Sequence, residues 1–447
     1  MTLAAAFLGV LLGASGPEPA PVLSPGIDDR AVCVKDVDFA LEALQEKCGH
    51  FFELKKIDWK AVKTEFQAAA KQVKDEREHL GLLIRLLARL HDGHCEVRGI
   101  GKGASIQPPE GFYPQRASAG ITLCRSGGKL YLKSVFGPAE RQGLDPGMEV
   151  TRLGKLSAAD WLAQRVKELC DVTSYSTEQQ AFYMACNYGP MLERGSKLEI
   201  EALDSKGKKV AKTLDCGVPD LPMLGPAFQP EKLEGAPPVV WGRTKAGYGY
   251  LWLRKTPDNL PEAIDPALKR LEDVPGLILD FRGNGGGGFD HEEFLGRFLP
   301  KGASLPTGRA YKSSGEHPYG GPVVVIVDAG VRSAGETGSG IFKEDGRGWM
   351  IGESATAGMS SSKETIELPS KLFALYVSVN SNMNRFNKGK GIEGIGVPPS
   401  EVVEYSPKDL AAGVDTLIKV AEERLAKFPQ DKVRYDPAKA GWKPPKK

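Results

Sequence analysis

At 447 residues, with 41% apolar residues and a formal net charge of +2, the chain has room for two or three globular domains and too even a charge balance for a nucleic-acid binder. Its basic residues are interleaved with acidic ones, as in KKIDWKAVKTEFQAAAKQVKDERE, which is the pattern of a solvated helix face rather than of a phosphate-binding patch. Seven cysteines, Cys33, Cys48, Cys95, Cys124, Cys170, Cys186 and Cys216, are odd in number and lack paired metal-ligand spacing, which excludes a complete disulfide framework and leaves a Cys33–Cys48 pair open.

Residues 1–27 join an apolar run, Leu3 to about Ala14, to a Pro-rich linker. This is the pattern of a signal peptide without its basic first segment, and it leads to the expectation of an exported protein, periplasmic or extracellular. No other run reaches the roughly eighteen apolar residues of a membrane helix, so no integral membrane segment is expected in the mature chain.

Residues 28–100 read as a helical cap. FALEALQEKCGHFF, WKAVKTEFQAAAKQV and EHLGLLIRLLARL each place apolar residues on one stripe, and Gly93 ends the last helix before Cys95-Glu96-Val97 open a strand. Residues 110–216 change to short alternating strands punctuated by glycine, with a helical insert between Ala158 and Asn187. From 235 to 430 strands and helices alternate. Continuous runs such as VVVIV predict a mostly parallel sheet covered on both faces. Residues 431–447, ending in GWKPPKK, are expected to be disordered.

Two segments carry the candidate chemistry. LILDFRGNGGGGFDHEEF formally contains G-x-G-x-x-G at Gly283, Gly285 and Gly288, but the acidic residue that a dinucleotide site wants about twenty positions on is missing, and no Gly-Lys-Ser/Thr marks a P-loop. A glycine run between strand and helix also lets backbone N–H groups converge on a developing negative charge, which makes Gly286 a candidate oxyanion donor. In VVVIVDAGVRSAGE, Ser333 sits between a buried strand and a helix, with the Ala334 N–H at the helix's positive end, a geometry suited to acyl transfer. The bland alternative is a helix cap, since Ser333 and Glu336 form a Ser-x-x-Glu box. Ser339 lies inside the helix and is the weaker candidate. His91, His94, Cys95 and Glu96 superficially offer metal ligands but lack H-E-x-x-H spacing.

Together these segments resemble the tail-specific, or C-terminal processing, serine peptidases and their tricorn-core relatives. The resemblance runs from about Val34 to Leu425 and rests on LLARLHDGHCEV, GPAERQGLDPGMEV, GLILDFRGNGGGG, VVVIVDAGVRSAGE, IGESATAGMSS and GKGIEGIGVPPSEVV in that order. It implies a peptidase core of the ClpP/crotonase-like α/β type behind the helical cap and a PDZ-like domain. In that domain the strand entered through Ala119, Gly120, Ile121 and Thr122 would accept an extended peptide, unless the helical insert occludes it.

The resemblance also offers two bases. In the processing branch a lysine in the motif resembling GESATAGMSS serves, but this chain has Gly358 or Met359 there, and Lys363 lies several residues beyond. The tricorn-like branch uses a histidine that matches His94 and a glutamate that matches Glu393. A triad of Ser333, His94 and Glu393 is therefore expected, with Ala334 and Gly286 as oxyanion donors. The tricorn-like pattern carries a second serine before the histidine, and this chain has Gly93 in its place. His291 is a rival base. The expected activity is serine endopeptidase on unfolded or tail-exposed polypeptide, with no cofactor. A catalytically silent peptide- or ligand-binding relative and a small-acyl esterase stand as alternatives.

Overall fold

The computed structural model describes residues 29–218, 224–305, 311–382, 386–429 and 433–443; the leader expected at 1–27 lies outside the described residues. The chain divides into two compact units. One gathers Met1–Gln115, Cys170–Tyr175 and Ser362–Asn380, and the other gathers Arg116–Leu169, Ser176–Ser361 and Ser381–Lys447.

In the first unit the helical cap takes shape as α1 (Asp29–Cys48), α2 (Trp59–Ala70) and α3 (Glu76–Ala88). Asp58 caps α2 by accepting the Ala61 N–H, and Asp75 caps α3 by accepting the N–H groups of Arg77 and Glu78. The stripe Leu80, Leu83, Leu86 and Leu87 is buried, as its spacing predicts. Two strands expected inside the 235–430 domain belong here instead. The strand Glu96–Gly99 pairs antiparallel with Phe373–Ser381, and Ser361–Glu367 completes a three-stranded sheet on the far side of the latter. The reason lies in the pattern FALYVSV: Phe373, Leu375, Val377 and Val379 alternate onto one face and share a core with the helical leucines.

Cys33 and Cys48 are separate buried thiols, held by burial well above the ordinary thiol value at about 12. They stand fifteen positions apart on one helix, a rise of roughly 22 Å that no disulfide spans.

The second unit is built on a seven-stranded sheet, in the order Leu233–Ala236, Val239–Arg243, Gly249–Leu253, Leu277–Asp280, Val323–Val327, Trp349–Gly352 and Glu401–Val402. The first three strands run antiparallel to one another and the remaining pairs are parallel. Both faces are covered. Leu279, Val325 and Val327 pack with Phe294, Phe298 and Phe342, while Ile278, Val324 and Ile326 pack with Leu417, Ala421 and Leu425.

The same unit holds an antiparallel module with strands in the order Ile121–Ser126, Lys129–Val135, Glu149–Leu153, Lys197–Leu203 and Lys209–Asp215, together with the insert helix Glu178–Tyr188. The segment expected to be a disordered tail is in part docked. Tyr435 is buried and donates its hydroxyl to the Gly320 carbonyl at 2.7 Å, and the Arg434 N–H reaches the Gly346 carbonyl at 2.9 Å.

Candidate active site

The strand Val323–Val327 is fully buried and delivers the chain to Asp328. The Asp328 carboxylate accepts the N–H of Gly330 at 2.9 Å and that of Gly283 at 3.0 Å, so one buried side chain ties the serine turn to the glycine run. Burial raises its pKa above the usual carboxylate value.

Ser333 follows with φ of 55° and ψ of −128°, a left-handed-side conformation that a residue with a β-carbon adopts only under constraint. The constraint is visible. The Ser333 N–H donates to the Met359 carbonyl at 3.0 Å and to Glu336 Oε2 at 3.1 Å. The Glu336 N–H is taken by the Ser333 carbonyl at 3.0 Å, and Ser333 and Glu336 together form the capping box that opens the helix Ala334–Glu344.

Glu336, read from sequence only as half of a capping box, does more. Its Oε1 accepts the Thr356 hydroxyl at 2.6 Å and the Gly358 N–H at 2.7 Å, and its Oε2 accepts the Met359 N–H at 2.8 Å beside that of Ser333. It thus clasps the serine turn to the GESATAGMSS loop from a fully buried position. Burial outweighs these bonds and lifts its pKa to about 8, with the charge of Glu393 adding to the rise.

Gly286 is pressed against the nucleophile candidate. A β-carbon on it would lie 2.7 Å from Ser333 Cβ and 2.9 Å from the Arg332 carbonyl oxygen, and its φ is 79°. Here glycine is needed both for the turn and for the close approach. The Gly286 N–H donates to Asn284 Oδ1 at 2.8 Å, while the N–H groups of Gly285 and Gly288 go to the Arg254 and Thr256 carbonyls.

Glu393 is fully buried in the same unit. Its N–H donates to Ser381 Oγ at 3.0 Å, its Oε1 accepts the Ser176 hydroxyl at 3.2 Å, and the next residue, Gly394, donates its N–H to the Gly358 carbonyl at 2.9 Å. Ser333, Ala334, Gly286 and Glu393 therefore belong to one interlocked set of loops at the carboxyl ends of parallel strands, where such sheets place their ligands.

His94 belongs to the first unit. It is half-buried, in a turn opened by His91 with φ of 47°. Asp92, a residue the sequence reasoning passed over, organises that turn. Its Oδ1 accepts the His94 N–H at 2.9 Å and the Ser378 hydroxyl at 2.9 Å, and its Oδ2 accepts the Ser378 N–H at 2.8 Å. Three of the four supposed metal ligands take separate partners: His91 Nδ1 lies 3.2 Å from the Lys55 carbonyl, the Cys95 thiol donates to the Leu87 carbonyl at 3.4 Å, and Glu96 pairs with Arg98.

Lys363 lies on the strand Ser361–Glu367 of the first unit. His291, expected on a solvent face, instead bonds through Nε2 to the Thr337 hydroxyl in the serine's own helix. Ser339 donates its hydroxyl to the Gly335 carbonyl at 2.8 Å within that helix. The residues expected to accept a peptide, Ala119, Gly120, Ile121 and Thr122, are buried, and Ile121 and Thr122 open the edge strand of their sheet, with the insert helix Glu178–Tyr188 packed against that strand.

Residues 247–403, which contain the glycine run, Ser333, Glu336 and Glu393, match the model of peptidase family S41. Over that segment the chain is similar to the S41 peptidases. It is 25% identical over 339 residues to the carboxy-terminal processing protease CtpB of Bacillus subtilis, covering 72% of this chain and 63% of that one. It is 29% identical over 189 residues to the chloroplastic C-terminal processing peptidase of Tetradesmus obliquus, covering 40% and 39%. The chain thus spans less than two thirds of the length of either curated relative. Among solved structures, mature CPAF complexed with lactacystin superposes with a TM-score of 0.60 at 12% identity, over 89% of this chain and 97% of that one, which is a likeness of fold.

Proposed function

We propose that this chain is a serine endopeptidase of the S41 type that cleaves unfolded or tail-exposed polypeptides through an acyl-enzyme on Ser333. The observation that carries this reading is Ser333 itself, held at φ of 55° at the head of a helix with Gly286 in contact with it. In the reaction the Ser333 hydroxyl attacks the scissile carbonyl while the His94 imidazole takes its proton, then returns it to the leaving amine. Glu393 keeps the imidazole in the productive tautomer and stabilises its cation. The Ala334 N–H, at the positive end of its helix, and the Gly286 N–H hold the tetrahedral oxyanion, each contributing about 10²–10³ in turnover. For Gly286 this means exchanging the Asn284 acceptor for the substrate oxygen.

The PDZ-like strand at Ala119–Thr122 selects substrate by accepting an extended segment as an added strand, which requires the insert helix to give way. An exported location fits the apolar leader. A fluorophosphonate probe tests the assignment: wild type is labelled and Ser333→Ala is not, and His94→Ala loses about 10⁴-fold of turnover. Equal labelling of wild type and Ser333→Ala would overturn it.

One observation favours a second reading, a silent member that binds peptides without cleaving them: the Gly286 N–H is already engaged by Asn284. Gly93, in place of a second serine, points the same way. A titratable burst of acyl-enzyme excludes this reading, and peptide binding with no product over long incubation supports it.

A further inference from the structure

We infer that Ser176, in the module that precedes the peptidase sheet, is a positioning residue for Glu393. The inference rests on the reading of Glu393 as the acid of the triad. Ser176 is buried and donates its hydroxyl to Glu393 Oε1 at 3.2 Å. The carboxylate is fully buried, and its backbone is fixed by the Ser381 hydroxyl on one side and by the Gly394 contact with Gly358 on the other. With the main chain pinned, the side-chain torsions of Glu393 decide where its carboxylate sits. An anchored Oε1 sets the plane of the group and so the direction in which Oε2 is presented.

Ser176 is itself placed with care. Its N–H donates to Gln180 Oε1 at 2.7 Å, and the next residue, Thr177, caps the insert helix by accepting the Gln180 N–H at 3.2 Å. The same turn is fastened to the catalytic loops at three further points. The Thr177 hydroxyl donates to the Ala357 carbonyl at 2.8 Å, Gln179 Nε2 donates to the Ile395 carbonyl at 3.0 Å, and the Gln180 amide reaches the Met359 sulfur. Gly358 is so close that a β-carbon on it would stand 2.6 Å from Thr177 Cγ2. Met359 is also the residue whose carbonyl holds the Ser333 N–H. The head of the insert helix therefore grips the acid by a side chain and the nucleophile's turn through one intervening loop. A residue that only filled space here would need no hydroxyl aimed at the carboxylate.

The test uses the full chain and two readouts, hydrolysis of an unfolded polypeptide and the rate of fluorophosphonate labelling at Ser333. A hydrogen bond to a charged group is worth about 1.5–3 kcal/mol, which predicts that Ser176→Ala lowers kcat about ten- to a hundredfold with KM little changed. Ser176→Thr, which keeps a hydroxyl, should recover most of the loss. In a Glu393→Gln background the same Ser176→Ala change should cost less than threefold, because two residues acting through one group are not additive. Overturning results are a wild-type rate in Ser176→Ala, a Ser176→Thr variant as slow as Ser176→Ala, or an undiminished loss in the Glu393→Gln background. Any of these leaves the reading of the nucleophile intact. An unlabelled wild type overturns that reading, and this assignment falls with it.

Discussion

Replacing Gly286 by alanine probes the serine turn directly. The new β-carbon would lie 2.7 Å from Ser333 Cβ and 2.9 Å from the Arg332 carbonyl oxygen. Carbon atoms in ordinary contact stand about 3.5–4.0 Å apart, so the overlap with Ser333 is roughly 1 Å, and neither neighbour is the yielding end of a long side chain. Over-packing of this kind costs about 1–3 kcal/mol, and a side chain at φ of 79° adds about 1–2 kcal/mol. The variant should therefore lose about 2–5 kcal/mol in urea unfolding followed by tryptophan fluorescence. If Ser333 absorbs part of the overlap, its labelling by a fluorophosphonate should slow about tenfold or more, since a displacement of about 1 Å at a reacting atom can cost 10²-fold. Gly285→Ala is the internal control. Its β-carbon meets nothing nearer than Arg332 Nη2 at 3.7 Å, so stability and labelling should stay close to wild type. Gly286→Ala behaving like Gly285→Ala in both assays would refute the contact and with it the role given to the glycine run.

Three further changes bear on the scaffold. Arg282 is fully buried between Asp280 and Asp415, with its guanidinium 2.9 Å from Asp415 Oδ1; Arg282→Ala strands both carboxylates and should cost about 3–5 kcal/mol in the same urea assay. Glu336 has a native pKa of about 8 against 4.5 unfolded, so the native state holds the extra proton between those values. Its contribution to stability is then greatest below pH 4.5, falls as pH rises from 4.5 to 8 and levels beyond, by as much as about 5 kcal/mol. Glu336→Gln should flatten that part of the pH profile of the urea midpoint, and an unchanged slope would assign it to other groups. In Asp92→Asn one amide N–H must face either the Ser378 N–H or the pair of donors on Oδ1, which should cost about 1–3 kcal/mol and loosen the His94 turn.

The periodic parts of the fold were legible. The leucines of α3 and the unbroken VVVIV run announce their burial, because a helical stripe and a two-faced strand leave distinct spacings in sequence. The ownership of FALYVSV was not legible. Its alternation states that one face is buried but not against what, and the nearest sheet in sequence was the wrong one. The candidate residues were visible wherever a motif fixes a backbone shape: Ser333 between strand and helix, and the glycines before it. The acceptors that hold those shapes were not. Asp92, Asp328 and Glu336 act through hydrogen bonds to backbone N–H groups, which leave no periodic trace. Ser176 meets its carboxylate across 217 positions of chain. A Ser-x-x-Glu pattern predicted a capping box at Ser333 and the box is present, but nothing in the pattern shows that Glu336 also binds the loop after the next strand.

The three-stranded sheet of the first unit has a consequence for biosynthesis. The apolar stripe of α3 is complete at Ala88, yet the strand that covers it begins at Phe373, 285 residues later by the chain numbering. At ribosomal rates of about 5–20 residues per second that stripe waits roughly a quarter of a minute to a minute for its cover. An amino-terminal fragment ending at Gln115 should therefore associate with itself or with chaperones. Closing this small sheet must await synthesis of nearly the whole polypeptide.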